Sequence, residues 1–275
     1  MDASTSTHVI EMRPDVVIKR YRSRRNDEPR REWRALNLLH EHARGVAPTP
    51  ISADLDAEPP TVVMSRLDGA PLECGPVAEL AVAVAGAVAR VQEAIPLRTL
   101  AELPARAGHP LELLHQVRTW CAAVQRPAND PTVTDALREA EGWLRQPALD
   151  AMLGRPIRPV FGTGDGNLAN LLADGTEVRL VDFEYSGRSD RPYELAELAE
   201  HISVQTADGP GMEYVLNSFD LDSAEADKLK NCRRLLAAFW LLRIMGNDRG
   251  DPQIRAKVLT SQATRLLTLL DQRDP

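Results

Sequence analysis

Residues 162–201 read GTGDGNLANLLADGTEVRLVDFEYSGRSDRPYELAELAEH, and the fold follows from this stretch. Two short apolar runs, NLL and VRLVD, flank Ala173-Asp174-Gly175-Thr176, a hairpin-type turn, so they form an antiparallel pair. Asp165 stands five residues before Asn170, and Asp182 follows twelve residues further on, directly after VRLV. The hairpin thus gathers three oxygen-bearing side chains around one spot. Moving a phosphoryl group off a nucleotide needs such a set. One carboxylate positions and deprotonates the acceptor hydroxyl, while an amide and a second carboxylate hold magnesium on the phosphates. Magnesium keeps waters of its own, so an Asn/Asp pair suits it better than a full cage would. Asp, Asn and Gly also occupy turns for backbone reasons alone. The spacing, the strand and the helix that follows, with Leu195, Leu198, Ala199 and Ile202 on one face of 193–205, favour the chemical reading.

Upstream, HVIEM (8–12) and VVIKRY (16–21) are β-prone runs joined through Arg13-Pro14-Asp15. A helix is predicted from Pro29 to His40, an extended breaker segment at 48–52, and a strand at 61–67 ending in the Asp68-Gly69 turn. From about residue 76 the character becomes helical, with helices over 76–95, 111–125 and 133–146, and further ones at 223–246 and 254–270. The plan is α+β and bilobal: a strand-rich lobe over 1–68 and a larger helical lobe over 69–275 that contains the hairpin at 160–185.

The 275 residues are 43% hydrophobic and 27% charged, enough to build a real core and too apolar for a disordered chain. The net charge of −7 argues against a nucleic-acid partner, whose binding domain is usually basic. The charge is uneven. Residues 13–34 carry nine basic side chains against four acids, whereas 182–227 carry twelve acids against two arginines. The basic stretch reads as a solvated loop and helix, and Glu194, Glu197 and Glu200 as a solvated helix face. Cys74, Cys121 and Cys232 are scattered, which favours a reducing, cytoplasmic setting over a disulfide framework. His40, His42, His109 and His115 read as surface or helix-face residues, and Trp120, Trp143 and Trp240 as core. The amino terminus lacks the pattern of a signal peptide. The apolar run LAVAVAGAVA (80–89) covers half of the roughly 20 residues a membrane span needs, so no membrane partner is expected.

GDGNLANLL followed by VRLVDFEYSGRSDRPYELAELAEH resembles the aminoglycoside phosphotransferase and choline-kinase-like family, small-molecule kinases that share the protein-kinase fold. The resemblance implies Asp165 as catalytic base, Asn170 and Asp182 as magnesium ligands, and Glu184 as a secondary metal-site or structural acid. Asp190 and Glu194-Leu195-Ala196 fall where the family's helix-opening segment lies, and Asp190 is also placed to cap that helix. VVIK (16–19) resembles the kinase strand whose lysine, here Lys19, contacts the α/β-phosphates and pairs with a helix glutamate. Glu32 is the best partner and Glu28 the second choice. Backbone groups of Ser65, Arg66 and Leu67 would meet the purine of ATP or GTP.

Two features depart from the family pattern. Thr163 stands where the family has a histidine that braces the catalytic loop, and no glycine precedes Gly45, so a Gly-rich phosphate loop is missing. Either backbone and hydroxyls of Ser4–Thr7 cover the phosphates, or the true start lies upstream of Met1. The acidic 182–227 segment suggests a cationic acceptor such as an aminoglycoside or peptide antibiotic. A kinase of choline, homoserine or a sugar, and a nucleotide-binding pseudoenzyme with a regulatory role, are the alternatives.

Overall fold

The computed structural model describes residues 8–72, 78–125, 130–205, 211–247 and 251–272. Ser4–Thr7 lie outside them. The amino-terminal lobe starts with the hairpin of β1 (Val9–Met12) and β2 (Val16–Arg20), in which Ile10 faces Lys19. Helix α1 (Glu28–His42) follows, with Pro29 in its first turn, and then β3 (Pro50–Asp54) and β4 (Thr61–Ser65). The four strands form one antiparallel sheet in the order β1-β2-β4-β3. Residues 48–52 read as a breaker because of their prolines; they nevertheless lead into an edge strand, where Pro50 forfeits no ladder bond that a neighbour needs. Leu36 and Leu39 of α1 are buried together with Val62 and Met64 of β4, which fixes the helix against the sheet.

The larger lobe comprises β5 (Ala70–Pro71), α2 (Ala78–Ala94), α3 (Leu97–Glu102), α4 (Pro110–Ala123), α5 (Pro131–Leu144) and α6 (Leu149–Leu153). After them come β6 (Pro159–Gly162), β7 (Leu171–Asp174), β8 (Glu177–Leu180) and β9 (Gly187–Asp190). The chain closes with α7 (Arg191–Glu200), α8 (Ile202–Gln205), α9 (Gly211–Leu216), α10 (Ser223–Met245) and α11 (Pro252–Asp271). The fold is the bilobal α+β arrangement. Helix starts are written by Asp and Pro. Asp130 accepts from Val133 N at 3.1 Å, Asp190 from Tyr193 N at 3.1 Å and Asp251 from Gln253 N at 2.7 Å, each with proline in the first turn. The predicted helix over 193–205 is two helices, because His201 is extended between α7 and α8. The short elements α3, α6 and β9 carry too little periodicity to be read in advance. Helix α10 packs on α4, α7 and α11. Trp143 is in the core, but Trp120 and Trp240 are only half-buried, a correction to the expectation. No described helix is long and apolar enough to cross a membrane.

Specific polar contacts hold the lobes in register. Leu180 N–H donates to Val46 O at 2.8 Å, and Arg31 donates to Ala105 O and Ser186 O, both at 2.8 Å. The basic stretch is therefore used within the fold. Arg24 also donates to Leu55 O and Ala57 O at 2.8 Å, and Arg30 reaches Asp56 at 2.7 Å.

Candidate active site

The hairpin of β7 and β8 forms as expected, with Leu171 opposite Leu180 and Asp174 opposite Glu177. Val181 N–H extends the ladder by donating to Asn170 O at 3.0 Å, so Asn170 lies at the open end of the hairpin next to the segment carrying Asp182. Asp182 has φ +67, a left-handed conformation that Asp tolerates better than most residues. Such conformations cost of order 1 kcal/mol or more and cluster at functional sites.

Lys19 is buried on β2, and its Nζ lies 2.7 Å from Glu32 Oε2, 2.7 Å from Asp182 Oδ1 and 2.7 Å from Glu184 Oε2. Burial alone would push the ammonium down; the carboxylates of Glu32 and Asp182, with Glu184, outweigh it and hold the pKa well above the ordinary value. Glu32 is thus the partner that reaches Lys19. Glu28 instead accepts from Ser23 Oγ at 2.9 Å. Tyr21 OH donates to the same Glu32 oxygen, and His8 Nε2 sits 2.9 Å from Glu184 Oε2. Burial raises Glu184, yet His8 and Lys19 overcome it and bring its pKa down to about 2. Burial, against the pull of Lys19 and with the repulsion of Glu32 and Glu184, pushes Asp182 up to about 7. Oxygens of Glu32, Asp182 and Glu184 come within 4.8 Å of one another, a nest of the kind that holds a cation. The cation in this nest is the Lys19 ammonium.

A magnesium site must therefore use what lies outside that nest. Asp182 Oδ1 is committed to Lys19, and Asn170 Nδ2 donates to Asp165 Oδ2 at 3.2 Å. Asp182 Oδ2 and Asn170 Oδ1 are left as two oxygen acceptors on neighbouring segments. A hard cation that retains most of its waters fits this donor set. Glu184 is placed with Lys19 and His8, so its carboxylate acts on the lysine.

Asp165 is held from three sides. Its Oδ1 accepts from Asn167 N at 3.0 Å and lies 3.5 Å from His201 Nε2, while Oδ2 accepts from Asn170. The preceding loop threads a tight space. Gly164 has φ +85, and a Cβ there would lie 2.5 Å from Tyr185 O; a Cβ at Gly166 would overlap Glu197 O. Thr163 N–H donates to Glu194 Oε2 at 3.0 Å. Arg106 contacts Glu194 Oε1 at 3.2 Å and Glu197 Oε2 at 3.3 Å, and donates to Gly164 O at 3.0 Å. The brace that Thr163 lacks is thus an Arg106–Glu194 pair. Burial pushes Glu197 up to about 7 against the pull of Arg106. Glu194, Glu197 and Glu200 are buried, which corrects the expectation of a solvated face. Glu200 sits between Arg233 at 2.7 Å and Arg265 at 2.7 Å.

Sequence reasoning missed His8, Tyr21, Arg106 and His201. Arg106 is 88 residues from Glu194, and no local signal links them. His201 ends the quoted ELAELAEH segment and could have been weighed as a neighbour of the loop. Its Nδ1 accepts from Ser203 N–H at 3.2 Å, which assigns the proton to Nε2, the nitrogen facing Asp165. Burial lowers its pKa, so the ring is neutral near pH 7. If His201 orients Asp165, His201→Leu should lower turnover by about a hundredfold, with nucleotide affinity unchanged. His201→Gln, which restores an N–H donor, should recover most of the loss in steady-state assays.

Of the expected purine contacts, Ser65 N–H donates to Thr49 O at 2.9 Å and Arg66 N–H to Asp15 O at 2.9 Å. Both donors are used within the fold, whereas Leu67 N–H makes no hydrogen bond among the described residues.

The model of the phosphotransferase enzyme family matches residues 3–230. Among curated proteins no sequence matches the chain. Solved structures share its fold at low identity. A choline/ethanolamine kinase family protein from Mesorhizobium loti is 16% identical, with TM-score 0.68 over 98% of this chain and 87% of that one. A spectinomycin phosphotransferase, solved with ADP and spectinomycin, is 8% identical, with TM-score 0.64 over 98% and 91%. Choline kinase LicA from Streptococcus pneumoniae is 14% identical, with TM-score 0.63 over 99% and 92%.

Proposed function

The chain belongs to the phosphotransferase enzyme family, and on that ground we propose that it is a magnesium-dependent kinase that moves the γ-phosphate of ATP or GTP to a hydroxyl of a small molecule. The observation that carries this reading is that Asn170, bonded to Asp165, is tied by the Val181 N–H to the segment whose next residue, Asp182, joins Lys19 and Glu32. Lys19, fixed by Glu32, presents a permanent positive charge to the α/β-phosphates. Leu67 N–H, unbonded among the described residues, is the proposed hinge donor for the purine. Magnesium, held by Asn170 and Asp182, would neutralise charge on the transferring phosphoryl group. Asp165 takes the proton from the acceptor hydroxyl; its two oxygens are oriented by Asn167, Asn170 and His201, so its attacking geometry is set before substrate arrives. In this reading the nucleotide binds between the lobes, whose boundary is proposed near residue 68, just past β4. The base, amide and carboxylate of Asp165, Asn170 and Asp182, together with Lys19, favour catalysis over a regulatory pseudoenzyme.

The acceptor is the open part of this reading. The acids proposed to draw in a cationic antibiotic are largely consumed: Glu194 and Glu197 by Arg106, Glu200 and Glu213 by Arg233 and Arg265, and Asp190 by Lys228 at 2.7 Å. The overall field still favours a cation only weakly. Mg-ATP or Mg-GTP at about a hundredfold over its Kd should stabilise the protein by roughly 2.7 kcal/mol, read as a thermal shift. Asp182→Ala should remove the magnesium-dependent part of that shift; an unchanged shift would rule out the metal assignment.

A further inference from the structure

A cavity of about 30 Å³ lies between α2, α7, the β7–β8 hairpin and the loop that carries Asp165. Val88 and Val91 of α2 and Leu198 of α7 give it apolar walls. Gln92 lines it from α2, and the polar groups of the other walls include Asp165, Asn167 and Glu197. A space of this size has room for about two water molecules; such cavities are hydrated when polar groups face them and dry when their walls are wholly apolar.

Two of these groups have hydrogen-bonding capacity to spare. Gln92 is 3% exposed, so bulk solvent does not serve it. Its Oε1 accepts from Arg191 Nε at 3.4 Å, and because a guanidinium only donates, that contact fixes which end of the amide is nitrogen. The Nε2 has no partner among the described residues. A buried donor left in that state is rare and costly in a folded protein. Across the cavity, Glu197 Oε2 takes Arg106 at 3.3 Å, and its Oε1 makes no hydrogen bond among the described residues. One side therefore offers a donor and the other an acceptor, a pair that water can serve at once. Glu197 also shares Arg106 with Gly164 O, one residue before Asp165, where the guanidinium donates at 3.0 Å.

We propose that this cavity is an internal water site, in which Gln92 Nε2 donates to water and water donates on to Glu197 Oε1, and that Gln92 is through it a positioning residue for Asp165. The chain of contacts runs from Gln92 through water to Glu197, from Glu197 to Arg106, and from Arg106 to Gly164 O. It steadies the loop in which Asn167 N–H holds Asp165 Oδ1 at 3.0 Å. The water site stands on the cavity and its lining alone; the importance of placing Asp165 rests on the reading of that residue as the base.

The test compares the full chain with two variants. Gln92→Met fills the same volume without a donor, and Gln92→Asn keeps the amide and leaves space for one more water. A high-resolution crystal structure of the parent should show ordered water within hydrogen-bond distance of Gln92 Nε2 and Glu197 Oε1. Amide hydrogen exchange at Asn167 should be about tenfold faster in Gln92→Met at an unchanged denaturation midpoint, the effect of losing one hydrogen bond from a local opening. Gln92→Asn should return the exchange rate close to that of the parent. A parent cavity without water on Gln92 Nε2 would overturn the proposal, and so would unaltered exchange at Asn167 in Gln92→Met. Faster exchange that Gln92→Asn does not recover, or that extends equally through α2 and α7, would make Gln92 a packing residue and overturn its positioning role. None of these readouts needs activity. A dry cavity leaves the kinase reading intact, and an inactive protein with water on Gln92 and a steadied Asn167 leaves the water site intact.

Discussion

Asp165→Asn is expected to leave a protein that folds and binds nucleotide but transfers phosphate about a thousandfold more slowly, a loss of about 4 kcal/mol at the barrier. The amide keeps one oxygen for Asn167 N–H and turns its NH2 toward Asn170, whose own side-chain amide can flip to accept it, so the local frame survives, but the amide cannot take up the acceptor proton. The comparison to make is turnover against nucleotide Kd in the same preparation. Turnover within tenfold of the parent would show that Asp165 is not the base. A parallel loss of nucleotide affinity would point to a collapsed loop, and Asp165→Glu would then separate the two, because it retains the charge while moving it by one methylene.

The second large effect is structural. Arg106 is 5% exposed, its guanidinium lies 4.7 Å from the Tyr193 ring centre, and it serves Glu194, Glu197 and Gly164 O together. Arg106→Met fills the volume but strands two buried carboxylates, and should cost roughly 3–5 kcal/mol in urea denaturation. Arg106→Lys keeps the charge without the planar fork and should fall in between. The pH dependence has a definite sign. Glu197 already has a folded-state pKa raised to about 7, and removing Arg106 raises it further. A carboxylate with a raised folded pKa contributes stability at low pH and loses it as pH climbs through that value. The deficit of Arg106→Met should therefore be smaller at about pH 5.5 than at about pH 8. A deficit independent of pH would mean that packing over Tyr193, and not the stranded charge, is what Arg106 provides.

The two halves of the site differed in how far they could be read from the chain. Asp165, Asn170 and Asp182 lie within one hairpin, where a turn and a register determine who meets whom, so their spacing carries geometry. Lys19 stood out as the one lysine outside the last helices, at the end of a β-branched run. Glu32 came from the family resemblance, which pairs that lysine with a glutamate on the following helix. The rest depends on segments far apart in sequence. Glu194, Glu197 and Glu200 recur every three residues, which reads as a wet helix face; they are buried because arginines from α10, α11 and the loop before α4 close over them. The same long-range closure turned the basic 13–34 stretch into braces for the 54–58 loop and the helical lobe, and it made β3 from a proline-bounded segment.

The tight passage of the catalytic loop has a consequence for anyone who surveys this protein by saturating it with substitutions. Gly164 and Gly166 carry no functional group, yet Tyr185 O and Glu197 O occupy the space any side chain would need. In a selection for activity they would be as intolerant as Asp165, and from fitness scores alone the three would look alike. What tells them apart is the alanine variant: at Asp165 it leaves a folded but inert protein, whereas it pushes the loop off Tyr185 at Gly164 and off α7 at Gly166, and so lowers the amount of folded protein. Paired measurements of abundance and activity would then sort the loop into positions that act and positions that make room.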